Sequence, residues 1–140
     1  MYSIKANAHF DSARFLAGYH GRSSNIHGHR WTMEVEVASK RLSIEPKTKG
    51  MVTDFGSLQQ DLRVLADRLD YALIVEQGTL KPALHEALKA EGFKLVELPF
   101  RPTVEQLAQF VYEQMKAKGY RVVRATVYET PETSASYTEE

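Results

Sequence analysis

From His27 to Val37 the chain alternates without a break. His27, His29, Trp31, Met33, Val35 and Val37 fall on one side, and Gly28, Arg30, Thr32, Glu34 and Glu36 on the other. A period of two over this length is the pattern of a β-strand with one dry and one wet face. The dry row ends in two imidazoles with only Gly28 between them, which adds no side chain and leaves the backbone approachable. Histidines at i and i+2 on one strand face project side by side. They can share a metal ion, or simply be half-buried and hydrogen-bonded. Zinc sites take three or four protein ligands, so the rest of the chain must supply a third.

A length of 140 residues with 43% apolar content suits one domain, residues 1–140, around a single core. Lysine plus arginine and aspartate plus glutamate number 18 each. A net charge of zero carries no electrostatic footprint for nucleic acid or an anionic membrane, so neither is expected as a partner. No apolar run approaches a membrane span. Met1-Tyr2-Ser3-Ile4-Lys5 opens directly into a strand pattern, so no signal peptide and a cytoplasmic location are expected. The chain has no cysteine, which excludes disulfides, thiolate ligands and a cysteine nucleophile together.

A first strand runs through Tyr2, Ile4, Ala6, Ala8 and Phe10, and its core row continues through Ser12 to Arg14. His9 and Asp11 lie on its wet row. Residues 16–25 form a glycine- and serine-rich loop that delivers His20, Ser23 and Ser24 close to His27. Asp54 caps a helix whose apolar face is Leu58, Leu62, Leu65 and Leu69, ending near Asp70-Tyr71. Gly78 to Pro82 looks like another helix start, with Leu84, Ala87 and Leu88 inward, His85 facing solvent and Gly92 as the stop. Phe93 to Leu98 reads as a short edge strand. Thr103 and Gln106 are spaced as a capping box for a helix with Val104, Leu107, Phe110, Val111 and Met115 on its buried stripe. A strand follows in which Val123, Ala125 and Val127 face the core. Glu129 is next on that row, where a carboxylate is costly unless it has a partner. Ser134 to Thr138 returns as a last strand. The order predicts an α+β domain, with two main helices on one face of an antiparallel four-stranded sheet.

Several runs together carry a family resemblance: Phe10-Asp11-Ser12-Ala13, Leu16-Ala17-Gly18-Tyr19, Asn25-Ile26-His27-Gly28-His29-Arg30-Trp31, Met51-Val52-Thr53-Asp54-Phe55-Gly56, Leu69-Asp70, Arg101-Pro102-Thr103-Val104-Glu105 and Val127-Tyr128-Glu129-Thr130-Pro131. In this order they resemble the 6-pyruvoyl-tetrahydropterin synthase family, and most of all its bacterial 6-carboxytetrahydropterin synthase branch in queuosine biosynthesis. The resemblance implies a tunnelling fold of ββααββ order. Its protomers join their sheets into a ring, a trimer or a hexamer of two stacked trimers, with active sites between subunits. It implies a lyase acting on 7,8-dihydroneopterin triphosphate. In such enzymes a zinc ion on three histidines polarises the side-chain hydroxyls, a cysteine assisted by an Asp-His pair is the base, and a late glutamate binds the pterin ring. Carried over, His27 and His29 are zinc ligands, Asp70 is the aspartate of the pair and Glu129 grips the pterin.

Three positions depart from that pattern. Arg14 stands where the first zinc histidine falls, Ser23 where the cysteine falls, and Tyr71 where the histidine of the pair falls. An arginine is always charged and offers no lone pair. At ~4 Å and an effective dielectric of about 20, two unit charges repel by roughly 4 kcal/mol, and a divalent ion about doubles that. Arg14 therefore opposes zinc if it points inward. His20 is the spare imidazole nearest in sequence, a substitute third ligand or a plain surface histidine. Ser23 needs a neighbouring base to act as a nucleophile or base, and otherwise is a loop serine. Tyr71 is an acid, a hydrogen-bond donor or a packing residue. Glu129 presents two acceptors to the amino and N–H donors of a pterin- or purine-like ring, or is a buried salt-bridge partner. Glu105 suits a helix N-terminus and is also a candidate for ring binding. Three readings stand: a pterin-binding protein with altered zinc chemistry, in which Arg14, His27 and His29 hold an anion; a working lyase with substitute ligands; and a silent subunit that assembles with an active paralogue.

Overall fold

A computed structural model describes residues 1–140. The two long strands form as the alternation predicts: β1 over Tyr2–Arg14 and β2 over His27–Ser39, paired antiparallel along their whole length. The register sets Phe10 opposite Trp31, Ser12 opposite His29 and Arg14 opposite His27. One face of this pair carries Ala6, Ala8, Phe10, Trp31, Met33 and Val35, all buried. The other carries Asp11 beside Arg30, and His9 bonded to Thr32 at 2.9 Å.

Asp54 caps α1 (Phe55–Leu69), its carboxylate accepting from the backbone N–H groups of Gly56 and Ser57. These contacts lower the Asp54 pKa below the ordinary carboxylate value, led by the hydrogen bond from the Ser57 hydroxyl. The chain then enters β3 (Leu73–Glu76), the short helix α2 (Pro82–Ala90) and β4 (Leu95–Leu98). Thr103 caps α3 (Val104–Ala117) by accepting from the Gln106 N–H. The other half of the capping box does not form, since the Thr103 N–H donates to the Arg101 carbonyl instead. β5 (Val122–Thr130) and β6 (Thr133–Tyr137) complete the sheet. Leu58, Leu62, Leu65 and Leu69 of α1 and Leu107, Val111 and Met115 of α3 share one core with the dry rows of the sheet.

The sheet has six strands, in the order β4-β3-β1-β2-β5-β6, rather than the four read from the sequence. β3 pairs parallel to β1 and β4 parallel to β3, so the sheet is mixed rather than wholly antiparallel. Neighbours Ile74 and Val75 are both buried. A four-residue strand covered on both faces has no alternation to read. The inward face expected for α2 is also corrected: Leu84 and Ala87 are exposed, and the helix has no buried residue. It is tied to β4 instead by His85, whose Nε2 lies 3.0 Å from Glu97 Oε1, so His85 is not free in solvent. In β5, Val122 rather than Val123 lies opposite Val37 while Arg124 lies opposite Glu36. Val123 is the extra residue of a bulge and is exposed. No helix is long and apolar enough to cross a membrane.

Candidate functional site

Two dry rows end in opposite charges, and the topology brings them together. β2 lies between β1 and β5, so Arg14, the histidine pair and Glu129 sit side by side across three strands at one end of the sheet. Arg14 is 2% exposed, and its guanidinium lies over the Trp31 ring at 4.7 Å from the centroid. Trp31 is itself fixed, stacked on Phe10 with its indole N–H donating to the Ser12 carbonyl. Arg14 Nη1 donates to the Pro102 carbonyl at 2.7 Å and Nη2 to Glu129 Oε1 at 2.6 Å. Its Nε has no partner. Burial pulls the Arg14 pKa below the ordinary arginine value, and Glu129 and the more distant Glu105 oppose that pull.

His29 stands edge-on to Trp31, and His27 edge-on to His29. His29 Nε2 is 3.1 Å from Glu129 Oε1, but not aligned for a hydrogen bond. Burial lowers the His29 pKa, Glu129 raises it, and the neighbouring His27 and Arg14 lower it further. His27 Nδ1 is 2.7 Å from the Asn25 carbonyl. The Nε2 atoms of both histidines are buried and without a hydrogen-bond partner. Glu129 Oε1 is shared by Arg14 and His29, whereas Oε2 has no protein partner and is not buried. His27, His29 and Glu129 border a polar hollow of about 610 Å³ together with Arg22, Ser23 and Asn25.

The loop that closes this hollow is held from two sides. Its Leu16 N–H donates to the Ser23 carbonyl, and Arg22–Ser24 form a short 3-10 turn. Arg101 Nη2 donates to the Ala17 carbonyl at 2.6 Å, beside Gly18 in the left-handed region at φ +79°. A side chain at Gly18 would be strained there and would stand 3.5 Å from Arg101 Nη2. This turn directs Ser23, not His20, to the histidine pair. His20 is exposed and outside the cluster of donors, and the carboxylate of Glu129 is the third group within reach.

The remaining candidates lie around the same corner without joining it. Asp70 Oδ1 accepts from the Asp11 N–H at 2.8 Å and the Tyr71 N–H donates to the Asp11 carbonyl, which ties the end of α1 to β1. The Ser12 hydroxyl reinforces this turn by donating to the Leu69 carbonyl and accepting from the Ala72 N–H. Tyr71 adopts φ 51° and is 79% exposed. It borders an apolar groove of about 580 Å³ with Ile26, Leu88 and Phe93, and this groove shares Gly28 and His29 with the polar hollow. Glu105 is exposed on the first turn of α3 and does not line the hollow.

The zinc implied by the family resemblance meets two suitable donors here, the orphan nitrogens of His27 and His29. It meets none at Arg14, whose buried charge is already paired with Glu129. The same pairing leaves Nε as the only Arg14 nitrogen without a hydrogen-bond partner.

Comparison with known proteins bears on the family and the fold. The family model described as 6-pyruvoyl tetrahydropterin synthase matches residues 3–140. The 6-carboxy-5,6,7,8-tetrahydropterin synthase of Haemophilus influenzae is 30% identical over 142 residues, covering 99% of this chain and all of the relative. The corresponding protein of Aquifex aeolicus is 31% identical over 83% of this chain and 75% of its own length. Among solved structures, an uncharacterized protein from Wolinella succinogenes superposes with a TM-score of 0.85 at 21% identity, over 99% of this chain and 98% of that one. A catalytic-residue mutant of Plasmodium vivax 6-pyruvoyltetrahydropterin synthase superposes with a TM-score of 0.71 at 17% identity, over 99% and 97%. At these identities the structural likeness speaks for the tunnelling fold, and the match along the sequence speaks for descent. The chain belongs to the 6-pyruvoyl tetrahydropterin synthase family.

Proposed function

We propose that this protein binds a pterin or closely related ring compound in the polar hollow at the His27–His29 corner, with Glu129 as the group that grips the ring. The observation that carries the reading is Glu129 itself. Its Oε1 is fixed by Arg14 at 2.6 Å, while Oε2 remains unpartnered at the edge of the hollow. A carboxylate accepts from ring N–H and amino groups, and one held by arginine is oriented before the ligand arrives. The grip is then through one free oxygen rather than the pair expected from the sequence. A volume of about 610 Å³ is suitable for a ligand of this size. Likeness to 6-carboxy-5,6,7,8-tetrahydropterin synthases supports a dihydroneopterin triphosphate-like substrate.

When bound, a divalent ion at the two histidines would polarise hydroxyls on the ligand's side chain. Ser23, on the rim of the hollow, would hydrogen-bond the ligand rather than act as a base, because no side chain is bonded to its hydroxyl to take the proton. Asp70 would hold Tyr71 in place through the Asp11 backbone, and Tyr71 would reach a ligand or a neighbouring protomer from the groove side. The protein would assemble into a ring, trimer or hexamer. The exposed apolar side chains of Ile26, Tyr71 and Phe93 beside the site support such burial by a second copy.

The test is fluorescence titration of the purified protein with 7,8-dihydroneopterin triphosphate, followed by product analysis. Saturable binding that weakens at least tenfold in Glu129→Gln is expected. No saturable binding, or equal binding by the variant, would defeat the reading. Turnover in the same samples would identify a working lyase, and binding without turnover a binding subunit.

A further inference from the structure

None of the residues from Leu16 to Asn25 is buried. The loop over the polar hollow therefore gains little from the core, and hydrogen bonds must hold it. Most of these stay inside the loop, such as Leu16 N–H to the Ser23 carbonyl and Ser24 N–H to the Gly21 carbonyl, and another joins Asn25 to His27, two residues on. One exception comes from far along the chain. Arg101 Nη2 donates to the Ala17 carbonyl at 2.6 Å, across 84 residues of sequence. A hydrogen bond with an ionised donor is roughly twice as strong as a neutral one. Arg101 belongs to no ion pair, so no carboxylate competes for its guanidinium.

Both ends of this bond are prepared for it. The Tyr19 N–H donates to the Leu16 carbonyl at 3.2 Å, which closes a turn whose third residue is Gly18 at φ +79°. That is the type II geometry, in which the middle peptide is turned over relative to type I, and here the middle peptide carries the Ala17 carbonyl. At the other end, Pro102 is buried and its carbonyl accepts from Arg14 Nη1. Thr103 caps α3, and its N–H closes back on the Arg101 carbonyl. Arg101 thus projects from a fixed turn. Two consecutive residues serve two walls of the hollow: Pro102 steadies Arg14 and through it Glu129, and Arg101 steadies the loop.

We propose that Arg101 is a positioning residue that holds residues 16–25 closed over the polar hollow. With Leu16 bonded to Ser23, a fixed Ala17 also fixes the stretch that carries Arg22, Ser23 and Asn25 to the rim. Without the guanidinium the loop keeps its internal bonds but is free to move away, and the hollow loses that wall. That the hollow then grips its ring less tightly rests on the pterin reading above; the hold on the loop does not.

The test uses the full chain without ligand. Arg22 is exposed on the loop, and limited trypsin digestion followed by mass spectrometry reads the fragment that ends there. When reclosing outpaces cleavage, the rate of this cut tracks the open population. Arg101→Met keeps the stem and removes the donors, and should speed the cut by about tenfold or more. Gly18→Ala disfavours the turn that presents the carbonyl and should also speed the cut; it stands in for Arg101→Met if that variant does not fold. The bond is to a single oxygen, so Arg101→Lys can still supply a charged donor and should be cut more slowly than Arg101→Met. A general loss of packing would show no such rescue. Titration with 7,8-dihydroneopterin triphosphate should show binding to Arg101→Met weakened by about threefold or more, the factor by which the closed population falls. A folded Arg101→Met variant cut at the wild-type rate would overturn the proposal, and so would a faster cut that lysine does not slow. Faster cutting with unchanged ligand affinity would overturn the loop's part in binding. A wild-type protein that binds no pterin would defeat only the proposed function, because the cutting is read without ligand.

Discussion

Glu129→Ala tests whether the buried pair is the structural centre of the corner. The substitution leaves the Arg14 side chain, 3% exposed, with Nη2 unpaired in addition to Nε, and with only the Pro102 carbonyl still accepting from it. Removing one partner of a buried ion pair costs about 3–5 kcal/mol, because the surviving charge remains buried. Glu129 is 23% exposed, so water can enter the vacated space, and the low end of that range, about 3 kcal/mol, applies. For a chain of this length that is a fall in Tm of roughly 10 °C. The double variant Arg14→Met, Glu129→Ala removes both charges and keeps an unbranched apolar side chain at position 14. It should recover about 1–2 kcal/mol of that loss. Thermal and urea unfolding at one protein concentration, in chelator at neutral pH, measures both. A single variant within about 1 kcal/mol of the wild type, or a double variant worse than the single, would refute the reasoning.

Two further outcomes follow from other parts of the fold. Ser12→Ala strips a partner from both the Leu69 carbonyl and the Ala72 N–H, and should cost about 1–3 kcal/mol in urea unfolding; a loss below about 0.5 kcal/mol would show the turn before β3 is held some other way. Tyr120 donates to Asp61 Oδ2 at 2.6 Å, and burial, with that hydrogen bond next, pushes its pKa up to about 12 from 10.0. Because the folded value lies above the unfolded one, this stabilisation is complete below pH 10 and is lost as the pH rises through about 12. Tyr120→Phe should lose the highest of the tyrosine ionisation steps seen by ultraviolet absorbance and part of the alkaline fall in stability, and an unchanged alkaline curve would refute the assignment.

Much of the site was legible because a strand alternates strictly. The dry row of β2 carries His27 and His29 inward beside Trp31, and that of β1 carries Ser12 and Arg14 inward, as the period of two requires. Sequence alone did not show that Arg14 and Glu129 meet. Each ends a buried row as a lone charge, which was the available signal, but their pairing depends on β2 lying between β1 and β5. His20 is near the histidine pair in sequence but not in space, whereas Glu129 is far in sequence and near in space. β3 was hidden by its double burial. The bulge at Val123 was hidden because β5 pairs with β2 without interruption from Arg124 to Tyr128. In α2 the apolar residues Leu84 and Ala87 fit a helical stripe, but the stripe lies outside the core of the protomer.

The most direct measurement is anomalous diffraction at the zinc absorption edge from crystals of the full chain grown with zinc and a dihydropterin. The account predicts one strong peak beside His27 Nε2 and His29 Nε2, with the pterin ring against Glu129 Oε2. A corner without anomalous signal, or a Glu129 side chain turned away from both imidazoles and ring, would contradict it.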